Sequence, residues 1–219
     1  GNLFSDPVSE VVLDNISGDI RYSETGLSGP GLGAEYRGHP AELSLTADQQ
    51  SREKFRADLQ GRFGIRDVIP EFLREDFLAL NQGGGDADWS VSLVGAPGPT
   101  SSGGPAEIET VLHIRSELEG VAMNLPLPMS KSPAERWPLT LRLPISGQQR
   151  LLDVVFEDRA ALRFDLAEAT GSPKSAVIRL GTGLPAMPPE GFIRLEGESE
   201  FVNLDGWIDV IIEEAMRGT

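Results

Sequence analysis

The chain has 219 residues, no cysteine, and 19 Lys plus Arg against 34 Asp plus Glu, a formal charge of −15. That length can bury well over half of its unfolded surface in one large β domain or two small ones. The charge repels polyanions, which argues against nucleic acid as a partner and weakens any model in which anionic headgroups are captured by a basic patch. Without cysteine there is neither a disulfide framework nor a thiolate metal site. No run of about 18 apolar residues occurs, so no membrane span is expected within this segment.

Short alternating runs begin at once. Val11 and Leu13 are followed by Ile16, Ile20 and Tyr22, and the odd step from 13 to 16 predicts a bulge or register change. Glu24-Thr25-Gly26 reads as a turn, as do Gly29-Pro30-Gly31 and Gly38-His39-Pro40. Leu32, Ala34 and Tyr36 form the next strand, then Leu43 with Leu45, and then Phe55, Ala57 and Leu59 up to Gly61. Between residues 65 and 80 the period changes: Val68, Ile69, Phe72, Leu73, Phe77 and Leu80 recur at helical spacing, interrupted at Pro70, and predict short helices. Gly83-Gly84-Gly85-Asp86 launches Trp89, Val91 and Leu93. The Gly-, Pro- and Ser-rich stretch 95–105 reads as an exposed loop and a sub-boundary.

The stretch from Glu107 to Leu166 organises the rest. Ile108, Thr110, Leu112 and Ile114 alternate with Glu107, Glu109, His113 and Arg115. The same period recurs in Val121, Met123 and Leu125, in Leu139, Leu141, Leu143 and Ile145, in Leu152, Val154 and Phe156, and in Leu162, Phe164 and Leu166. The fold class expected is therefore mainly β (α+β): one large curled antiparallel meander, with short helices at 65–80 and a C-terminal helix at 204–217. That last helix is to be capped by Asn203, with Leu204, Trp207, Ile208, Ile211, Ile212 and Ala215 as its apolar stripe.

Catalytic chemistry does not emerge. His39 and His113 have no partners at metal-ligand spacing, and no Gly-x-Ser-x-Gly elbow is present. Ser130-Lys131-Ser132 lies between Pro128 and Pro133, and adjacent side chains on an extended segment point apart, so it reads as a loop rather than a nucleophile pair. The glycine clusters lack a following helix with the P-loop lysine. Asp153, Glu157, Asp158 and Asp165 read as a solvated face, and Trp89, Trp137 and Trp207 as packing residues. No enzyme, cofactor or metal is expected.

Three stretches carry a resemblance. Gly120-Val121-Ala122-Met123-Asn124-Leu125-Pro126 running through Arg136-Trp137-Pro138-Leu139 resembles a Gly-Val-Ala to Trp-Pro-Leu stretch of YhdP-type, AsmA-like proteins. Asn15-Ile16-Ser17-Gly18-Asp19-Ile20-Arg21-Tyr22 before Gly26-Leu27-Ser28 resembles that family's early strand and turn. Leu195-Glu196-Gly197 with Leu204-Asp205-Gly206-Trp207 is similar to its closing Leu-x-Gly and Leu-Asp-x-Trp pattern. The resemblance implies a single β-rich segment, 1–219, of a longer Gram-negative envelope protein, anchored in the inner membrane by another part and lying in the periplasm. It also implies a trough along which phospholipid acyl chains move toward the outer membrane, with neighbouring segments of the same chain as partners.

An apolar face of this size must be filled by its own side chains, covered, or occupied by acyl chains. The lipid-contact candidates are Ile108, Leu112, Ile114, Val121, Met123, Leu125, Leu141, Leu143, Val154, Phe156 and Phe164. On that reading, Leu143→Asp impairs lipid occupancy before it unfolds the domain. The alternatives are a structural or interaction domain with a closed core, and an envelope-polymer module stacking carbohydrate on Trp89 or Trp137.

Overall fold

The computed structural model describes residues 12–68, 83–98, 107–146, 150–167 and 173–209. Its strands in chain order are β1 (Leu13–Ser17), β2 (Arg21–Ser23), β3 (Gly26–Tyr36), β4 (His39–Asp48) and β5 (Phe55–Gly64), followed by a single helical turn, α1 (Ile65–Val68). Next come β6 (Gly83–Gly84), β7 (Asp86–Pro97), β8 (Ile108–Ser116), β9 (Ala122–Asn124) and β10 (Ser130–Lys131). The remainder are β11 (Leu139–Pro144), β12 (Leu151–Phe156), β13 (Ala160–Leu166), β14 (Pro173–Leu180) and β15 (Ile193–Gly197), and residues 204–209 are helical.

Twelve strands form one sheet in the order β1-β3-β4-β5-β7-β8-β11-β12-β13-β14-β15, with β2 paired to β3. The other three form a small sheet, β10-β9-β6. The mainly β fold with short helices is thus as the periodicity predicts. The register of the large sheet explains why one face is dry. Because directly opposite residues share a face, the pairs can be followed strand by strand: Leu32 to Leu43, Leu59, Val91, Ile114, Leu141, Val154, Leu162, Ile178 and Leu195. This is one unbroken aliphatic row across ten strands. At the usual interstrand spacing of about 4.8 Å, it runs roughly 40 Å across the sheet.

The opposite face gives a polar row over the same strands. It passes from Ser44 through Asp58, Ser92, His113, Arg142, Asp153 and Arg163 before reaching Val177 and Arg194.

Several expectations are corrected. Val121, Met123 and Leu125 do not extend the large sheet. The chain leaves it after β8 because Leu118 (φ 52°) and Gly120 (φ 101°) take left-handed conformations, and β9 then pairs with β10 and β6 instead. Alternation alone does not say which sheet a strand joins. Gly29-Pro30-Gly31 is not a turn: β3 runs through it, and the register slips between Gly29 and Leu32 as a bulge, with Gly31 at φ 62°. The slip predicted near residues 13–16 is present between Asp14 and Ser17.

The Phe55 run does not stop at Gly61 but continues to Gly64, and β7 continues to Pro97. Both glycines lie under aromatic rings: a Cβ on Gly61 would meet the Phe63 ring at 2.3 Å, and one on Gly95 the Phe55 ring at 2.0 Å. There glycine makes room for a ring rather than breaking the strand. The stretch 95–105 connects two strands that pair along their lengths, β7 and β8, and residues 99–106 fall outside the described ones.

The meander closes with one exception to its antiparallel pattern, since β15 runs parallel to β14. The connection crosses the polar face, where the carbonyl of Pro185 accepts a hydrogen bond from Arg163 and where Val177 and Ala161 are fully buried. Of the helix expected at 65–80, Ile65–Val68 is described and the rest lies outside. Likewise, 204–209 is helical and the remainder of 204–217 lies outside. Asn203 caps this second helix, its Oδ1 accepting from the Gly206 amide at 3.0 Å.

Candidate functional site: the aliphatic face and its cover

The apolar face is covered over its middle by the segment between β8 and β11. Leu118, Val121, Met123 and Trp137 belong to one hydrophobic core with Leu59, Ile114, Leu139, Leu141 and Val154 of the large sheet. Trp137 meets Phe156 edge-on, with ring centroids 6.2 Å apart, while the Arg159 guanidinium lies over its indole at 4.4 Å. The cover is tied down through its own backbone: the Trp137 amide donates to Glu117 and the Gly120 amide to Pro133.

The fixing point of that cover is Lys131. Its side chain is buried, and Nζ donates to the carbonyls of Leu118 (2.7 Å), Val121 (2.8 Å) and Ser132 (3.0 Å). All three donors of the ammonium are used, as burial of a cation without a carboxylate requires. Burial pushes this ammonium below its ordinary range, against the opposing pull of Glu135 and Glu119. Leu118 is held in its left-handed conformation from both ends: its amide donates to Ser116 Oγ and its carbonyl accepts from Lys131.

The eleven candidate residues converge on this one layer from two sides. Leu112, Ile114, Leu141, Leu143 and Val154 project from the large sheet and are buried. Phe156 and Phe164 share that face half-buried, and Ile108 is exposed at its end. Val121 and Met123 come from the cover and pack into the same core, and Leu125 is buried just beyond β9. Trp89 and Trp137 are 3% and 1% exposed, which leaves neither free to stack a sugar.

The sequence reading missed two features. Lys131, read as part of a loop, is the buried anchor of the cover. It also missed that the aliphatic row comes to the surface at the β15 edge, where Ile193 and Leu195 are 80% and 68% exposed on the same face as the buried Ala176 and the half-buried Ile178. Alternation in Ile193 and Leu195 was visible, but alternation does not tell an edge strand from a central one.

The described residues contain no group of three or more His, Cys, Asp or Glu placed to hold a metal ion, and no helix among them is long and apolar enough to cross a membrane. Fold and face together define a large-sheet protein organised around one continuous aliphatic surface. The family model described as YhdP protein matches residues 1–218, and the chain belongs to that AsmA-like family. No curated protein and no solved structure matches the chain.

Proposed function

We propose that this chain is a non-enzymatic segment of a periplasmic bridge between inner and outer membrane, with its aliphatic face serving as a passive conduit for phospholipid acyl chains. The observation that carries this reading is the aliphatic row from Leu32 to Leu195, buried in the middle and open at β15. Its length of roughly 40 Å exceeds the ~30 Å hydrocarbon thickness of a whole bilayer, and at the β15 edge Ile193 and Leu195 leave apolar side chains open for an acyl chain to lie on. Exposed aliphatic area of this kind is unfavourable in water at about 25 cal/mol per Å², which favours an apolar occupant. Neighbouring segments of the same longer chain are the other partners of this reading.

The burial of Ile114, Leu141, Leu143 and Val154 in one core with Leu118, Val121, Met123 and Trp137 favours a second reading, a structural or interaction domain with a closed core. Native mass spectrometry with lipid extraction separates the two. For the chain produced in a Gram-negative host, the conduit reading expects phospholipid to co-purify and to be released by detergent. A lipid-free compact monomer would refute it and favour the closed core.

A further inference from the structure

On the face opposite the aliphatic row, we propose a binding site for a phosphate group, formed by Arg115 and Arg142 around His113. In a chain of net charge −15, most cations on the strands of this face are paired with carboxylates. Arg37, Arg56, Arg62, Arg136, Arg163, Arg179 and Arg194 are all in ion pairs, and Lys131 is spent on carbonyls. Arg115 and Arg142 are exposed and make no ion pair among the described residues.

Both arginines stand on strands in the middle of the sheet. Arg142 lies directly opposite His113, and Arg115 directly opposite Thr140. The two arginines are therefore diagonal neighbours on adjacent strands, with Cα atoms about 7–8 Å apart. Two long side chains rooted at that distance can close on one tetrahedral anion, and the planar guanidinium matches phosphate oxygens in pairs. Hydroxyls complete the surround: Ser90 is opposite Arg115 on β7, and Thr140 lies on β11.

The groups facing His113 are Ser92 from β7, Arg142 from β11 and Arg115 on its own strand, with Arg56 and Glu53 farther off on the β5 side. The nearest carboxylates are already engaged. Behind Ser92, Asp58 pairs with Arg56 at 2.8 Å and accepts from Ser92 Oγ at 2.5 Å. Behind Arg142, Asp153 takes Arg163 at 2.6 and 3.2 Å. Burial, then the positive charges of Arg142, Arg115 and Arg56, hold the His113 imidazole below its ordinary range, so the local field is positive despite the acidic chain. Further acids on this face are Asp88 and Glu117 toward the far end of β8 and Glu109 toward its start, and Asp88 pairs with Arg62 at 3.5 Å.

The chemistry shared by the ligands that fit is a phosphate group, either of a free phosphorylated compound or of a lipid headgroup at a membrane. The test is an NMR titration with inorganic phosphate, run beside a sedimentation assay on vesicles of phosphatidylcholine containing phosphatidylglycerol. Saturable shifts confined to Arg115, Arg142 and their strand neighbours are expected. The double variant Arg115→Gln/Arg142→Gln, whose surface positions leave folding intact, is expected to weaken binding about tenfold or more. A control carrying the same charge change elsewhere, Arg21→Gln/Lys174→Gln, is expected to bind as wild type. Sedimentation lost in the Arg115→Gln/Arg142→Gln variant alone assigns the phosphate to a headgroup, whereas binding of phosphate without sedimentation assigns it to a free compound.

With sulfate as a dianion of constant charge, binding should tighten as the pH falls through and below the ordinary imidazole range and His113 gains its proton, and His113→Gln should flatten that dependence. Absence of saturable binding, or equal loss in the control variant, would overturn the proposal.

Discussion

Leu143→Asp is expected to unfold the chain. Leu143 is 0% exposed and lies opposite Leu112 within the apolar face. A carboxylate there has no donor to meet it, and burying an unpaired charge costs several kcal/mol even after neutralisation. Added to the roughly 2–5 kcal/mol of lost packing that truncation alone brings at such a site, this consumes most of the 5–15 kcal/mol by which domains of this kind are stable. Circular dichroism and urea unfolding read the result directly, and Leu195→Asp is the comparison. Its parent side chain is 68% exposed on the same face, so that variant should keep its fold and lose only what binds there. The expectation that Leu143→Asp impairs lipid occupancy before unfolding is corrected by this burial. Ile193, Leu195 and Phe164 are the positions at which occupancy and folding separate.

Lys131→Met is expected to loosen the cover. The substitution keeps most of the apolar stem and removes the ammonium, leaving the buried carbonyls of Leu118 and Val121 and that of Ser132 without this donor. Each buried acceptor left unpaired costs about 1–3 kcal/mol. The Leu118 carbonyl still accepts from the Val121 amide at 3.2 Å, so a total near 3 kcal/mol is expected rather than the full sum. Because the loss falls on one segment, amide hydrogen exchange should rise first in β9, β10 and the Leu118–Val121 turn, with β11 to β14 still protected. Uniform exchange across both sheets would contradict the anchoring role of Lys131.

The positions of most strands were legible because period-2 alternation states which side chains are buried together, and nearly every run from Leu32 to Leu195 obeys it. What alternation leaves open is partner choice. Val121 and Met123 alternate as cleanly as Leu139 and Leu141, yet the left-handed Leu118 sends them into the cover. Nothing in the residue type announces that conformation, since leucine disfavours it and is held there by Ser116 and Lys131 from elsewhere in the chain. Glycine reads as a strand end where the strand in fact continues. Gly31 relieves a bulge inside β3, and Gly61 and Gly95 make room for rings within strands, although each sits in a stretch that also suits a turn.

The candidate face was legible as a set of residues, and its burial was not, because burial depends on a cover formed by long-range contacts. The Arg115–His113–Arg142 array was hidden for a similar reason: His113 and Arg142 are distant in sequence and become neighbours only through the β8–β11 register.

Membership in the YhdP family and the aliphatic row together make lipid occupancy the central claim. The most direct measurement places a photocrosslinking phenylalanine at Leu195, and separately at Arg194 on the opposite face of the same strand, in the full-length protein within a Gram-negative envelope. After irradiation, the account predicts a mass increment matching a phospholipid acyl adduct at position 195 and none at 194. Lipid-free product at both positions, or equal labelling of both faces, would contradict it.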